Sequence, residues 1–136
     1  MGNVNWAVAS QLDARQVLAA NRVAGASAVN STAFDLRTVE DGARVALILT
    51  ALGTGGGNTG GTWTVNESAT SGGSYTACAV DGALVATPAS TASNIQRVSV
   101  RPNPDKPFVR VTFTPANASA AVDIAATLVV VSRARV

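Results

Sequence analysis

The chain contains no histidine and a single cysteine, Cys78, among its 136 residues. Without histidine, the Ser-His-Asp and Cys-His nucleophile systems and the usual zinc sites cannot be assembled. One cysteine cannot close an internal disulfide, so stability has to come from side-chain burial and from association. With no imidazole to activate it, Cys78 is expected to be a buried, inert thiol. Charged residues make up only 13% of the chain and aromatics 4%, and the net charge is +2. The ten basic residues are scattered singly and form no stripe, so nucleic acid is not an expected partner. No apolar run approaches the roughly 20 residues that span a bilayer. The opening MGNVNWAVASQLDAR also lacks a basic n-region followed by an apolar h-region. Synthesis in a cytoplasm, with no signal peptide and no membrane partner, is therefore the expectation.

What the chain does have is small and β-branched apolar residues. Hydrophobic residues reach 47%, mostly Ala and Val. Val and Thr fit a pleated surface, while Gly and Asn interrupt helices. The length suits one domain. Residues 1–20 have irregular apolar spacing and read as an N-terminal arm, and residues 21–136 read as a single sandwich.

From Arg22 onward the period is two. Phe34, Leu36 and Thr38 alternate with Asp35 and Arg37, and Asp41-Gly42 signals a turn. Ala43 to Leu52 is the most apolar strand, with Val45, Leu47 and Leu49 on one face and Ala46, Ile48 and Leu52 on the other, so both faces are expected to be covered. Trp63, Val65 and Glu67 alternate with Thr64 and Asn66. Tyr75 to Val80 is a short strand ending at Asp81-Gly82, and Ala83 to Thr87 is another, stopped by Pro88. Ile95, Val98 and Val100 precede a link held irregular by Pro102, Pro104 and Pro107. Val109, Val111 and Phe113 alternate cleanly with polar residues, as do Val122, Ile124, Ala126, Leu128 and Val130. The expected inward-facing core is Phe34, Val45, Leu47, Leu49, Val65, Val109, Val111, Phe113, Ile124 and Leu128. About eight short strands with frequent turn signals imply an all-β fold, an antiparallel β-sandwich or jelly roll with an N-terminal arm.

Gly55, Gly57 and Gly60 satisfy G-x-G-x-x-G, but a dinucleotide site needs a helix N-terminus behind the glycines. Here Thr62 to Val65 begin a strand, so a hairpin loop is the better reading. Carboxylate pairs such as Glu40 with Asp41, or Glu67 with Asp123, read as solvated charges rather than as an acid–base dyad. No catalytic, cofactor or metal residue is assigned, and no enzyme activity is expected. Trp63 and Tyr75 could form a sugar-binding platform if exposed together, but a core role for Trp63 beside Val65 is favoured.

The chain resembles a family of tailed-bacteriophage head decoration, or cement, proteins over about Phe34 to Arg135. The resemblance is carried by Phe34-Asp35-Leu36-Arg37 leading through Gly42-Ala43 into a Val/Leu strand, and by Trp63-Thr64-Val65-Asn66-Glu67-Ser68 with Gly72-Gly73-Ser74-Tyr75 behind it. Pro107-Phe108-Val109-Arg110-Val111-Thr112 and the Val-rich last strand closing on Arg133 complete it. The chain departs from the pattern in its Gly53 to Gly61 insertion and its Pro102 to Pro107 link. The resemblance implies a structural protein on the capsid exterior of the virion, bound to the major capsid protein, often as a homotrimer. In the arm, Val4, Trp6 and Val8 share one side of an extended segment and, with Leu12, are the candidate capsid or subunit contacts. Two other functions fit the same sequence: a tail or head–tail joining protein, and a carbohydrate-binding jelly-roll module.

Overall fold

Strand propensity and alternation build a two-sheet sandwich. The computed structural model describes residues 12–23, 27–39, 44–53, 61–78, 80–81, 93–100, 103–116 and 122–131. The strands are β1 (Leu12–Val23), β2 (Val29–Asn30), β3 (Phe34–Asp35), β4 (Arg44–Gly53), β5 (Gly61–Ser68), β6 (Thr76–Ala77), β7 (Val80–Asp81), β8 (Ser93–Val100), β9 (Phe108–Pro115) and β10 (Val122–Val131). One sheet has the order β1-β10-β4-β8-β7 and the other β2-β9-β5-β6, with β3 also on β9. Every pairing is antiparallel. The chain changes sheet between β1 and β2, β3 and β4, β4 and β5, β6 and β7, β8 and β9, and β9 and β10. Repeated crossing of this kind between two antiparallel sheets is jelly-roll connectivity.

The core follows from the alternation. Val45, Leu47, Leu49 and Ala51 of β4 and Val122, Ile124, Ala126, Leu128 and Val130 of β10 are buried on one inner face. Trp63 and Val65 of β5 and Val109, Val111 and Phe113 of β9 are buried on the other. Trp63 and Phe113 are a cross-strand pair whose rings meet edge-on, 4.9 Å between centroids at 60°. Val17, Phe34, Leu47, Val109, Val111 and Leu128 close around a gap between the sheets with no room for a water. Of the expected core residues, nine are buried and Phe34 is half-buried against them.

Gly61 marks where the glycine-rich segment meets this core. A Cβ there would collide with the Thr114 carbonyl oxygen and lie 2.5 Å from Cζ of Phe113. Only glycine lets the backbone come this close to the ring.

Four expectations need correction. Leu12–Val23, placed largely in the arm by sequence, with an edge strand on its own sandwich or a sister subunit as the alternative, is β1, an edge strand paired with β10 from Leu12↔Val131 to Val23↔Val122. Its register slips between Gln16 and Leu18 and again between Leu18 and Asn21, which scrambles the alternation that would have revealed it. The period-two reading of Phe34, Leu36 and Thr38 stops at Asp35. The Asp35 carboxylate accepts the Arg37 backbone N–H at 3.0 Å and starts a 3-10 turn over Leu36–Thr38. The strand expected over Tyr75 to Val80 is two pieces in different sheets, with the Cys78 N–H bonded to the Val65 carbonyl at 3.0 Å just before the crossing. Finally, the outer face of β4 is not fully covered: Ala46 and Ile48 are half-buried and Leu52 is 36% exposed. The strand expected at Ala83 to Thr87 and the arm residues before Leu12 lie outside the described residues.

Phe113 is 0% exposed, so Phe113→Ala is expected to cost about 3–5 kcal/mol in urea denaturation. A loss below about 1 kcal/mol would contradict its place between the sheets.

Candidate functional site

Because alternate residues of β4, β5, β9 and β10 are committed to the core, the two outer faces and the edges are left for contact with other molecules. These two faces differ in chemistry. On the first sheet, the outward positions form cross-strand rows: Ile95 with Thr50 and Ala125, Arg97 with Ile48 and Thr127, Ser99 with Ala46 and Val129. Leu52 lies across from Asp123 and diagonal to Ile95. Ile95 is 67% exposed and Leu52 36%, the two exposed large hydrophobics among the described residues. With Ile48, Ala46 and Val129 they form an apolar patch on a face that also carries Thr50, Thr127, Arg97 and Ser99. An open hollow of about 510 Å³ beside it is lined by Ala46, Arg97, Val98 and Ser99.

The outer face of the second sheet is polar. Thr62, Thr64 and Asn66 of β5 stand across from Thr114, Thr112 and Arg110 of β9. The Asn66 amide donates to the Thr112 hydroxyl at 3.1 Å, and that hydroxyl donates to Oδ1 of Asn30 at 2.7 Å. The Arg110 guanidinium lies 3.9 Å over the Tyr75 ring, whose hydroxyl donates to the Ser71 carbonyl at 2.8 Å. Toward the far end of β9, Arg37 sits 5.0 Å over Phe108 and forms a paired contact with Asp35 at 2.9 Å. The Arg37 hydrogen bond holds the Asp35 carboxyl below the usual carboxylate range, and the same bond raises the Arg37 pKa.

The residues singled out in the sequence fall in different places. Leu12 opens β1 opposite Val131, while Val4, Trp6 and Val8 lie outside the described residues. Trp63 is 1% exposed between the sheets, so it cannot share a surface platform with Tyr75. This corrects the geometry of the sugar-platform alternative. The glycines of G-x-G-x-x-G lead into strand β5, not a helix. Among the described residues no group of three His, Cys, Asp or Glu side chains could hold a metal, and no helix is long and apolar enough to cross a membrane. Sequence reading missed Ile95 as a surface residue and the Asn30–Thr112–Asn66 chain. Both depend on which strands become neighbours, which periodicity alone does not give.

No family model and no curated protein matches this chain. Solved structures are similar in fold. A xylan-binding CBM22-1 domain of Paenibacillus barcinonensis Xyn10C is 13% identical with a TM-score of 0.48, over 90% of this chain and 87% of that one. A structure of infectious bursal disease virus strain Gx gives 10% and 0.46, over 88% of this chain and 31% of that one. A Bacillus endospore appendage protein, of a family of disulfide-linked pili, gives 16% and 0.39, over 91% and 90%. At these identities the likeness is one of fold.

Cys78 is half-buried rather than buried. Burial, and then the Glu67 charge, pushes its thiol from an ordinary 9.0 up to about 11. The folded state therefore holds this proton more tightly than the unfolded chain does. Its contribution to stability is full below about pH 9 and is lost as pH rises toward about 11. In urea denaturation, Cys78→Ala should fall less steeply with pH across that window than the native chain. Parallel curves for the two proteins would argue against a desolvated thiol.

Proposed function

We propose that this protein is a non-enzymatic structural module of a tailed-phage virion that docks on the outside of the assembled capsid shell. The reading rests on the sequence resemblance to decoration proteins. The observation that carries it is the apolar patch on the outer face of the first sheet, where Ile95 and Leu52 stand exposed beside Ile48. Apolar groups gathered on one face, and not scattered singly, are the mark of a docking surface. The occupant we assign is the major capsid protein. Symmetric attachment multiplies a modest contact at each shell position, which suits a module of this size. The arm before Leu12, with Val4, Trp6 and Val8, supplies a second contact to the shell or to a sister subunit.

Three measurements test this. Ile95→Asp should abolish decoration of capsids that lack the protein, seen by electron microscopy, while the melting temperature stays within a few degrees because the position is 67% exposed. Full decoration by Ile95→Asp would refute the assigned face. Deleting residues 1–10 should weaken decoration without altering the melting temperature, and undiminished affinity would remove the arm as an anchor. Light scattering of the free protein should show a homotrimer, and a monomer at micromolar concentration would rule out a trimer assembled before docking.

A further inference from the structure

Among the described residues, Arg110 is a cation without an anion. It stands near the middle of β9, on the outer face of the second sheet, across from Asn66. Its side chain lies over the Tyr75 ring, 3.9 Å from the guanidinium carbon. Nε of Arg110 is buried and has no hydrogen-bond partner among the described residues. The nearby carboxylates are engaged elsewhere. Asp35 is taken by Arg37. Glu67, at an alternate position of β5, accepts from Asn103 at 3.2 Å and faces Lys106 at 3.9 Å.

The groups around Arg110 are neutral, short and held in place. The bonds from Asn66 to Thr112 and from Thr112 to Asn30 consume one donor of Asn66 and the Oδ1 acceptor of Asn30. They leave the Asn66 Oδ1 acceptor and the Asn30 Nδ2 donors at the two ends of the chain. Thr112 is β-branched and stiff on a strand, so the chain loses little rotamer freedom on binding. Tyr75 in turn holds the guanidinium plane against its ring.

We propose that this face binds an acidic polysaccharide, with Arg110 taking a sugar carboxylate and Asn30, Asn66 and Thr112 taking ring hydroxyls. A guanidinium fork matches a carboxylate in a bidentate manner. Hydroxyls both donate and accept, which mixed amide and hydroxyl groups satisfy and a phosphate, an acceptor only, would not. One cation among neutral groups fits a polymer bearing one charge per several hydroxyls. Neighbouring strands about 4.8 Å apart give an extended chain successive rows to lie across. This inference does not rest on shell binding, because the first sheet carries that role.

The test is calorimetric titration of the full free chain with oligouronates prepared from alginate, with dextran fragments of equal length, and with polyphosphate. Binding to oligouronate, at least tenfold weaker for dextran and polyphosphate, is expected. Arg110→Gln, which keeps most of the side-chain volume, should lower oligouronate affinity at least tenfold, and Asn66→Ala several-fold. Arg97→Gln, on the opposite face, should change nothing, and matched melting curves would show that all variants are folded. Absence of oligouronate binding, undiminished binding by Arg110→Gln, or polyphosphate bound equally well would each overturn the proposal.

Discussion

The sandwich depends on one pair of rings. In a chain with 4% aromatics, Trp63 and Phe113 are the largest fully buried side chains, and they pair across β5 and β9. The rest of the core is Val, Leu, Ile and Ala, small enough to follow whatever spacing the rings set between the sheets. The rings also dictate local sequence. Gly61 is required because Phe113 occupies the space where a Cβ would project. The glycine-rich segment thus ends at a residue chosen by the core, whatever the remainder of the loop does.

A sandwich leaves sheet edges, and an exposed edge invites pairing with another chain. β1 is a long edge strand, and two features blunt it. The register slips on either side of Leu18 interrupt its regular row of backbone groups. At Val17 the outward carbonyl is already taken, by the Thr32 N–H at 3.2 Å and the Thr32 hydroxyl at 3.1 Å. On the second sheet, β2 and β3 are two-residue pieces on either side of Ser31, whose hydroxyl accepts the Val111 N–H at 3.0 Å. Short, interrupted edges of this kind are poor templates for indiscriminate association, which is consistent with docking through the faces as proposed above.

How much of this was legible beforehand depended on regularity. β4, β9 and β10 keep strict alternation over eight or ten residues, and their inward residues were readable from period alone. β1 was not, because each slip reverses which residues face inward, and an alternating pattern broken twice in twelve residues resembles no pattern. The 3-10 turn at Leu36 was hidden for a different reason: Asp35 competes for the backbone with its own carboxylate, a local preference that hydrophobic spacing does not register. The candidate surfaces were the least legible. Ile95 belongs to a run with Val98 and Val100 that reads as one apolar strand, but the odd spacing puts Ile95 outward and the valines inward. Likewise Asn30, Asn66 and Thr112 are far apart in sequence and become a hydrogen-bonded row only once β2 and β5 flank β9.

The contrast between the outer faces is therefore informative in a way the core is not. Burial explains every inward residue without reference to function, since any sandwich of this size needs such a core. Outward residues are under no such demand. A sheet face left only to solvent would carry mixed polar groups, as the threonines of β5 and β9 do. Ile95 and Leu52 stand exposed among alternating positions that a charge would fill at no cost to folding. Neither side chain is held outward by the packing of the isolated domain, and this is the ground for the docking face proposed above. Arg110 poses the opposite case, a cation set over a ring and paired with no carboxylate among the described residues. Among the described residues, exposed apolar area stands on one face and a cation over a ring on the other. The two proposed complements would therefore meet opposite sides of one core and would not compete for the same residues.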